Sequence, residues 1–470
     1  MKTHAWICAG FCSLVCGLAT SIVGAQSAPA AAKSVAAQPA AATSAFKTVV
    51  TQIDLKDGDT LVFLGDSITH QCLYTQYVED FFYTRFPQLR IRFHNAGVSG
   101  DRAADALARF DADVAWYKPR YVTILLGMND GSYRDFDRDV FETYQRDMST
   151  LLDRVAEIGA TAIPMTPTMH DARAARLRGK PVEPRDTYYN GVLALYGAWL
   201  REVAQVRGLG FVDMYSPLNQ LTLAERKKDA DFTLIKDAVH PNEPGQVVMA
   251  AAIISDMCPR GGVSSITIQD KAGKLAATGN GQLTDFSADD RGVRFSFTAK
   301  ALPWVLPPEA ALGYRLISAG HRYSMEAFTA RNLKPGKYEL KIDGQSIGTW
   351  ADTQLAFRLE LEANEKTPQY QQALAVALLN KERNAKAVHP LRGMWLQMKR
   401  RQLTQAAAKK DAQSAVAQAE FEKWQVEEFQ PGVDKLKALV AEYDERIYRL
   451  NQPVARKYEL IRVERSATGQ

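Results

Sequence analysis

Four short stretches of this 470-residue chain carry side chains that do acyl chemistry when they meet. Gly65-Asp66-Ser67 follows the apolar run Leu61-Val62-Phe63-Leu64 and leads into Ile68-Thr69-His70. Asn95-Ala96-Gly97-Val98-Ser99-Gly100-Asp101 and Leu125-Leu126-Gly127-Met128-Asn129-Asp130 each close another expected strand, and Asp237-Ala238-Val239-His240-Pro241 precedes a last helix. A hydroxyl at the turn from a buried strand into a helix sits beside unpaired backbone N–H groups. Those donors favour the negative charge that attack on a carbonyl creates. A serine is a weak nucleophile until a base takes its proton. Each stretch also has a plainer, structural reading: Asp66 and Ser67 cap a helix, and Asn129 steadies a loop at a strand end.

Taken together, in this order and at strand ends, the four stretches resemble the four blocks of the GDSL esterases and lipases of the SGNH hydrolase superfamily. The resemblance covers roughly residues 58–258. It implies a reaction with Ser67 as nucleophile and His240, the only one of seven histidines in an Asp-x-x-His-Pro setting, as base. Asp237, three residues earlier, can bend back to hold the imidazole in one tautomer, as in Ser-His-Asp triads on other folds. The family's oxyanion donors map to the Ser67 N–H, a glycine N–H of the second block and the Asn129 side chain. Both Gly97 and Gly100 lie in that block, and Gly100 is preferred because Ser-Gly-Asp is nearer the family's usual context. His70, Asp130 and His170 are candidate rim residues. No metal and no other cofactor is implied, since the histidines are scattered and no phosphate loop or dinucleotide fingerprint occurs.

Bringing these groups together calls for a sheet whose strands end at one edge. Strands are expected at 60–64, 90–95, 121–126, 161–165 and 210–214. Between them run helical stripes such as Val140, Tyr144, Met148, Leu151, Leu152 and Val155, and Val192, Leu195, Tyr196, Trp199, Leu200 and Val203. Alternation of this kind means a parallel sheet with helices on both faces, right-handed crossovers, and ligands beyond the carboxyl ends of the strands. The expected fold of 46–259 is therefore α/β, the flavodoxin-like three-layer parallel sheet of the SGNH hydrolases. The polar stretch 167–188, with His170 and Asp171, follows the fourth strand and reads as a solvated loop, or else as a lid or wall for a polar substrate.

Beyond Pro259 the pattern changes. Residues 260–366 hold alternating runs and the hairpin signal Asp343-Gly344, which predicts a small antiparallel β module. Residues 367–470 read as helical, with apolar positions too regular to be left in solvent, so these helices are expected to dock on the rest. With every candidate catalytic residue before Pro259, the C-terminal half is expected to influence substrate choice or stability and not the chemistry.

The 46% hydrophobic and 24% charged content is that of a globular protein, and a net charge of +5 gives no ground for a nucleic-acid partner. The apolar run 5–18, followed by small residues up to Ala25, reads as a signal peptide over 1–25 and is short for a membrane span. Residues 26–45, mostly Ala, Pro and Ser, read as a disordered linker. The expectation is an exported protein, periplasmic or extracellular, without stable membrane insertion. Of five cysteines, Cys72 and Cys258 lie beyond the signal. They are expected to be unbonded, because they fall at opposite ends of helices about 20 Å long, against the 7 Å or so that a disulfide spans. The expected substrate is a small ester or an acetylated glycan, and export, the polar stretch 167–188 and the β module favour a carbohydrate O-acetylesterase. The alternatives are a lipid or lysophospholipid esterase and, in another class, a surface binding or scaffold protein with a vestigial esterase core.

Overall fold

The computed structural model describes residues 47–463 apart from 178–182, 184, 260 and 408–411. The expected signal peptide and linker lie outside the described residues, as does part of the polar stretch 167–188. Strand β1 (Thr60–Gly65) is buried along its whole length, as a continuous apolar strand covered on both faces must be. It lies inside a four-stranded sheet of order β2-β1-β3-β4, with β2 Arg92–Gly97, β3 Tyr121–Leu125 and β4 Thr161–Met165. All three pairings are parallel. The fifth expected strand, 210–214, is reduced to a single parallel bridge between Met165 and Val212. The reason is local. Asp213 Oδ1 accepts from Ser216 N at 2.9 Å, and Thr166 Oγ1 accepts from Met214 N and Tyr215 N. These bonds turn the chain into a helix before a ladder extends.

Helices α1 (Ser67–His70) and α2 (Leu73–Arg85) follow β1, α3 (Ala103–Ala108) follows β2, α4 (Arg138–Glu157) follows β3 and α5 (Arg185–Arg207) follows β4. Helix α6 (Glu243–Met257) closes this part of the chain. The expected stripe of α4 is buried from Tyr144 to Val155. In α5, Tyr189 and Leu193 are buried and Leu195 faces solvent, a shift from the expected stripe. Cys72 and Cys258 are free and buried, one capping the start of α2 and the other the end of α6.

Two further sheets follow. One has the order β11-β10-β13-β8-β7 and the other β12-β9-β5-β6. The first holds β7 (Gln282–Asp289), β8 (Gly292–Thr298), β10 (Lys337–Ile342), β11 (Gln345–Ala351) and β13 (Arg456–Val463). The second holds β5 (Ser264–Lys271), β6 (Lys274–Gly279), β9 (Glu326–Arg331) and β12 (Leu359–Glu360). Ile266, Ile268 and Phe328 of one pack with Phe295, Leu340, Tyr458 and Leu460 of the other in one core. The module is not wholly antiparallel, because β5 pairs with β9 in parallel. The β10–β11 turn carries Asp343 and Gly344 at φ 52° and 79°, the mirror-image turn that suits strand twist.

The stretch read as helical to the C-terminus needs a correction. Helices α7 (Pro368–Arg383), α8 (His389–Ala407), α9 (Ala412–Trp424) and α10 (Gln430–Leu450) do form, but 456–463 is β13, inserted between β8 and β10. Its alternation of Tyr458 and Leu460 with polar residues suits that place. Its partners lie more than a hundred residues upstream, which a local reading cannot supply. The helices dock as expected. Val376, Ile447 and Tyr448 enter the same core as the parallel sheet, and Arg383 is buried against Glu79 at 3.1 Å and Asp444 at 2.7 Å. Among the described residues no helix is long and apolar enough to cross a membrane.

Candidate active site

Two glycines make the seat for Ser67. Gly65 and Gly97 are partners in register at the ends of β1 and β2. A β-carbon on Gly65 would lie 2.1 Å from Thr69 Oγ1, and one on Gly97 would lie 2.4 Å from the His70 nitrogen. Only residues without a side chain let α1 cross the strand ends this closely. Asp66 caps α1 by accepting from Ile68 N at 2.9 Å, so Ser67 opens the helix with its side chain half exposed. The capping and chemical readings of this stretch are therefore compatible.

Ser67 Oγ lies 2.7 Å from His240 Nε2, and His240 Nδ1 lies 2.6 Å from Asp237 Oδ2. Asp237 Oδ1 accepts the backbone N–H groups of Val239 at 3.0 Å and His240 at 2.7 Å. The tight bend between carboxylate and imidazole puts Ala238 at φ 74°. For a residue with a β-carbon that conformation costs about 1–2 kcal/mol. The buried Asp171 holds the bend: its N–H donates to the Ala238 carbonyl, and its carboxylate takes two bonds from Arg226, at 2.8 and 2.7 Å, and one from Thr233. Burial pushes the Asp237 carboxyl up, but the hydrogen bonds from His240 and Val239 outweigh it and hold the group well below the usual carboxylate range. The Asp237 contact raises the His240 imidazole above its ordinary value, against the effect of burial. With the Nδ1 proton donated to Asp237, Nε2 is left to accept from the Ser67 hydroxyl.

Of the two glycines in the second block, Gly97 has spent its N–H on Asn95 Oδ1 at 2.9 Å. Gly100 is exposed at φ 76°, and its N–H has no hydrogen-bond partner among the described residues. Asn129 Nδ2 donates to the Asp101 carbonyl at 3.0 Å and lies 3.4 Å from Asp66 Oδ2. Its Oδ1 accepts from Tyr133 Oη at 3.1 Å, which sets the orientation of the amide.

The three expected rim residues are all buried. Asp130 is a staple: its carboxylate accepts Gly127 N at 2.9 Å and Ala103 N at 2.8 Å, joining two of the site's loops. His170 is packed edge-on against Tyr189. His70 meets His389 of α8 edge-to-face, and burial lowers it to about 4, so it is neutral. Burial also pushes the Asp66 carboxyl up to about 7. Sequence reasoning missed Tyr133, Arg109 and Arg226 altogether. No motif marks them, and only their contacts reveal what they hold.

Away from this site, His321, Glu360 and Glu362 bring ligand atoms within 4.8 Å of one another. Arg358 already bonds to Glu360 and lies 3.5 Å from His321 Nδ1, so a guanidinium engages two of the three groups.

Residues 63–248 match the GDSL-like lipase/acylhydrolase family. An acetylxylan esterase of Geobacillus stearothermophilus is 26% identical over 223 residues, which are 43% of this chain and 94% of that protein. Among solved structures, a gut microbial diltiazem-metabolizing enzyme aligns with a TM-score of 0.74 at 25% identity, covering 88% of this chain and 100% of the other. That likeness therefore extends over the β module and the helices as well as the parallel sheet. The order of the four blocks, the sheet that carries them and these relatives agree: the part of the chain that carries Ser67 and His240 belongs to the GDSL-like lipase/acylhydrolase family of SGNH hydrolases, and the protein is an ester hydrolase.

Proposed function

We propose that the chain is a serine esterase that removes acetyl groups from carbohydrate, working through Ser67, His240 and Asp237. The observation that carries this reading is the unbroken chain of contacts from Ser67 Oγ to His240 at 2.7 Å and from His240 to Asp237 at 2.6 Å. His240 Nε2 takes the hydroxyl proton as Ser67 Oγ attacks the ester carbon, and the imidazolium is stabilised by Asp237. The negative oxygen of the tetrahedral intermediate is met by the Ser67 and Gly100 N–H groups and by Asn129 Nδ2. His240 then returns the proton to the leaving alcohol. Water, deprotonated by the same imidazole, releases acetate from the acyl-enzyme.

The glycan assignment is supported by the relative named acetylxylan esterase, 94% of whose length aligns with this chain. The exported location is part of the same reading and rests on the sequence of residues 1–25. The test is initial rates of the purified protein on p-nitrophenyl acetate, acetylated xylo-oligosaccharides and a lysophospholipid. Faster turnover of the acetylated sugars supports the assignment. Preference for the lysophospholipid overturns the glycan part, and no turnover of any ester overturns the whole.

A further inference from the structure

We infer that Lys399, on C-terminal helix α8, is a positioning residue for the oxyanion donors, so that the helical region completes the active site. The inference rests on the roles proposed for Gly100 and Asn129.

Asp101 joins those two donors. It follows Gly100 in the chain, and its carbonyl accepts from Asn129 Nδ2 at 3.0 Å. Its side chain is fully buried and held on two sides. Arg109 donates to Oδ2 at 2.8 Å, and Lys399 donates to Oδ1 at 2.8 Å. Arg109 belongs to the hydrolase part and is tied down itself, donating to Asp113 at 2.6 Å and to the Ala96 carbonyl at 2.7 Å. Lys399 comes from almost 300 residues later. It also donates to Asp105 at 3.1 Å, and its Nζ lies 3.9 Å from where a β-carbon on Gly100 would stand.

Helix α8 is firmly placed to do this. Arg392, about two turns earlier on the same face of the helix, is completely buried and donates twice to Asp113, at 2.7 and 3.0 Å. Val98, two residues before Gly100, packs into the core formed by Leu391, Trp395, Met398, Phe421 and Trp424. The loop Val98–Asp101 is thus gripped by the helices at both ends, by apolar contact at Val98 and by charge at Asp101. Gly100 itself has no side chain to hold it and lies in an open, left-handed conformation. Its N–H direction is set by its neighbours. A donor displaced by about 1 Å costs up to a hundredfold in rate.

The test measures kcat and KM on p-nitrophenyl acetate for the full-length protein and for Lys399→Met, Lys399→Arg, Asp101→Asn and the Lys399→Met/Asp101→Asn double variant. Rates are referred to active sites counted by organophosphate titration, so that misfolded protein does not count. Lys399→Met is expected to lower kcat about ten- to a hundredfold with KM within about twofold, the pattern of a contact that matters only in the transition state. Lys399→Arg should recover most of the loss. The double variant should be no slower than Asp101→Asn, because Lys399 acts through Asp101. If Lys399→Met titrates no sites, Asp101→Asn decides the matter: a kcat about ten- to a hundredfold below the parent with KM within about twofold is expected, and a kcat within about twofold of the parent overturns the inference. A kcat within about twofold of the parent in Lys399→Met, an Arg variant as slow as the Met variant, or additive losses in the double variant would each overturn the inference. Failure of the parent protein to turn over any ester is a different result, and it removes the proposed function instead.

Discussion

The two loops of the proposed site are held in different ways. In the Asp237–His240 loop the carboxylate, the strained Ala238 and the imidazole lie within four residues, and Asp171 and Arg226, from elsewhere in the hydrolase part of the chain, clamp the bend. The Gly100–Asp101 loop has one internal bond, from Asp101 N to the Val98 carbonyl at 3.1 Å. Its anchors are Val98 in a core made by distant helices, Arg109, and Lys399 on α8. A short motif can encode the carboxylate–imidazole pair of the first loop, because those two groups are neighbours in sequence. The second needs the whole chain, which agrees with a relative that aligns over all three regions.

The largest loss sets the floor for both loops. Ser67→Ala should cut kcat by about a millionfold while leaving roughly a thousandfold over water from the remaining donors. Its melting temperature should stay near the parent value, since Ser67 is only half buried. Near-parental esterase activity in this variant would mean that neither loop serves Ser67.

Next comes the Asp237–His240 loop. Asp237→Asn keeps the bend but removes the acceptor that fixes the imidazole, and kcat should fall about 10⁴-fold, measured at the optimum pH of each protein. A loss under tenfold would show that another group orients His240 and that the loop is less local than its geometry implies.

A smaller effect is the acid limb of the pH profile. Protonated His240 cannot act as base, so activity falls as pH drops through its pKa. An unperturbed histidine places that fall between about pH 6 and 7. Asp237 raises the His240 pKa, so the protonated form persists to higher pH, and the midpoint of kcat/KM should lie above about 6.5. Asp66 titrates nearby, pushed up to about 7 by burial, so the profile should be recorded in Asp66→Asn as well. A midpoint well below 6 in both proteins would argue against His240 as the base.

The smallest expected effect is on stability alone. Ala238→Gly removes the β-carbon from a left-handed position and should stabilise the protein by up to about 1 kcal/mol, seen as a higher denaturant midpoint, with kcat unchanged. A large drop in kcat would show that the Ala238 side chain holds the bend in a way its backbone contacts do not reveal.

The sequence by itself determined the chemistry and its scaffold. The run Leu61–Leu64, the glycines that must yield to α1, and the four strand-end motifs identify a parallel sheet and the groups at its edge, because each signal lies within a few residues. The three-residue spacing of Asp237 and His240 lets carboxylate reach imidazole directly, although Asp171, from far earlier in the chain, holds the bend between them. Other features were decided only by the tertiary structure. That the Gly97 N–H is already spent depends on the Asn95 side chain, which accepts it. Asp130 and His170 read as rim residues because polarity in a loop suggests exposure, whereas their carboxylate staple and aromatic packing bury them. The helical stretch ended in β13 because strand pairing is settled by partners far along the chain. Lys399 was invisible for the same reason. A lysine on an amphipathic helix looks like any solvated charge until a buried carboxylate, almost 300 residues away in sequence, is folded against it.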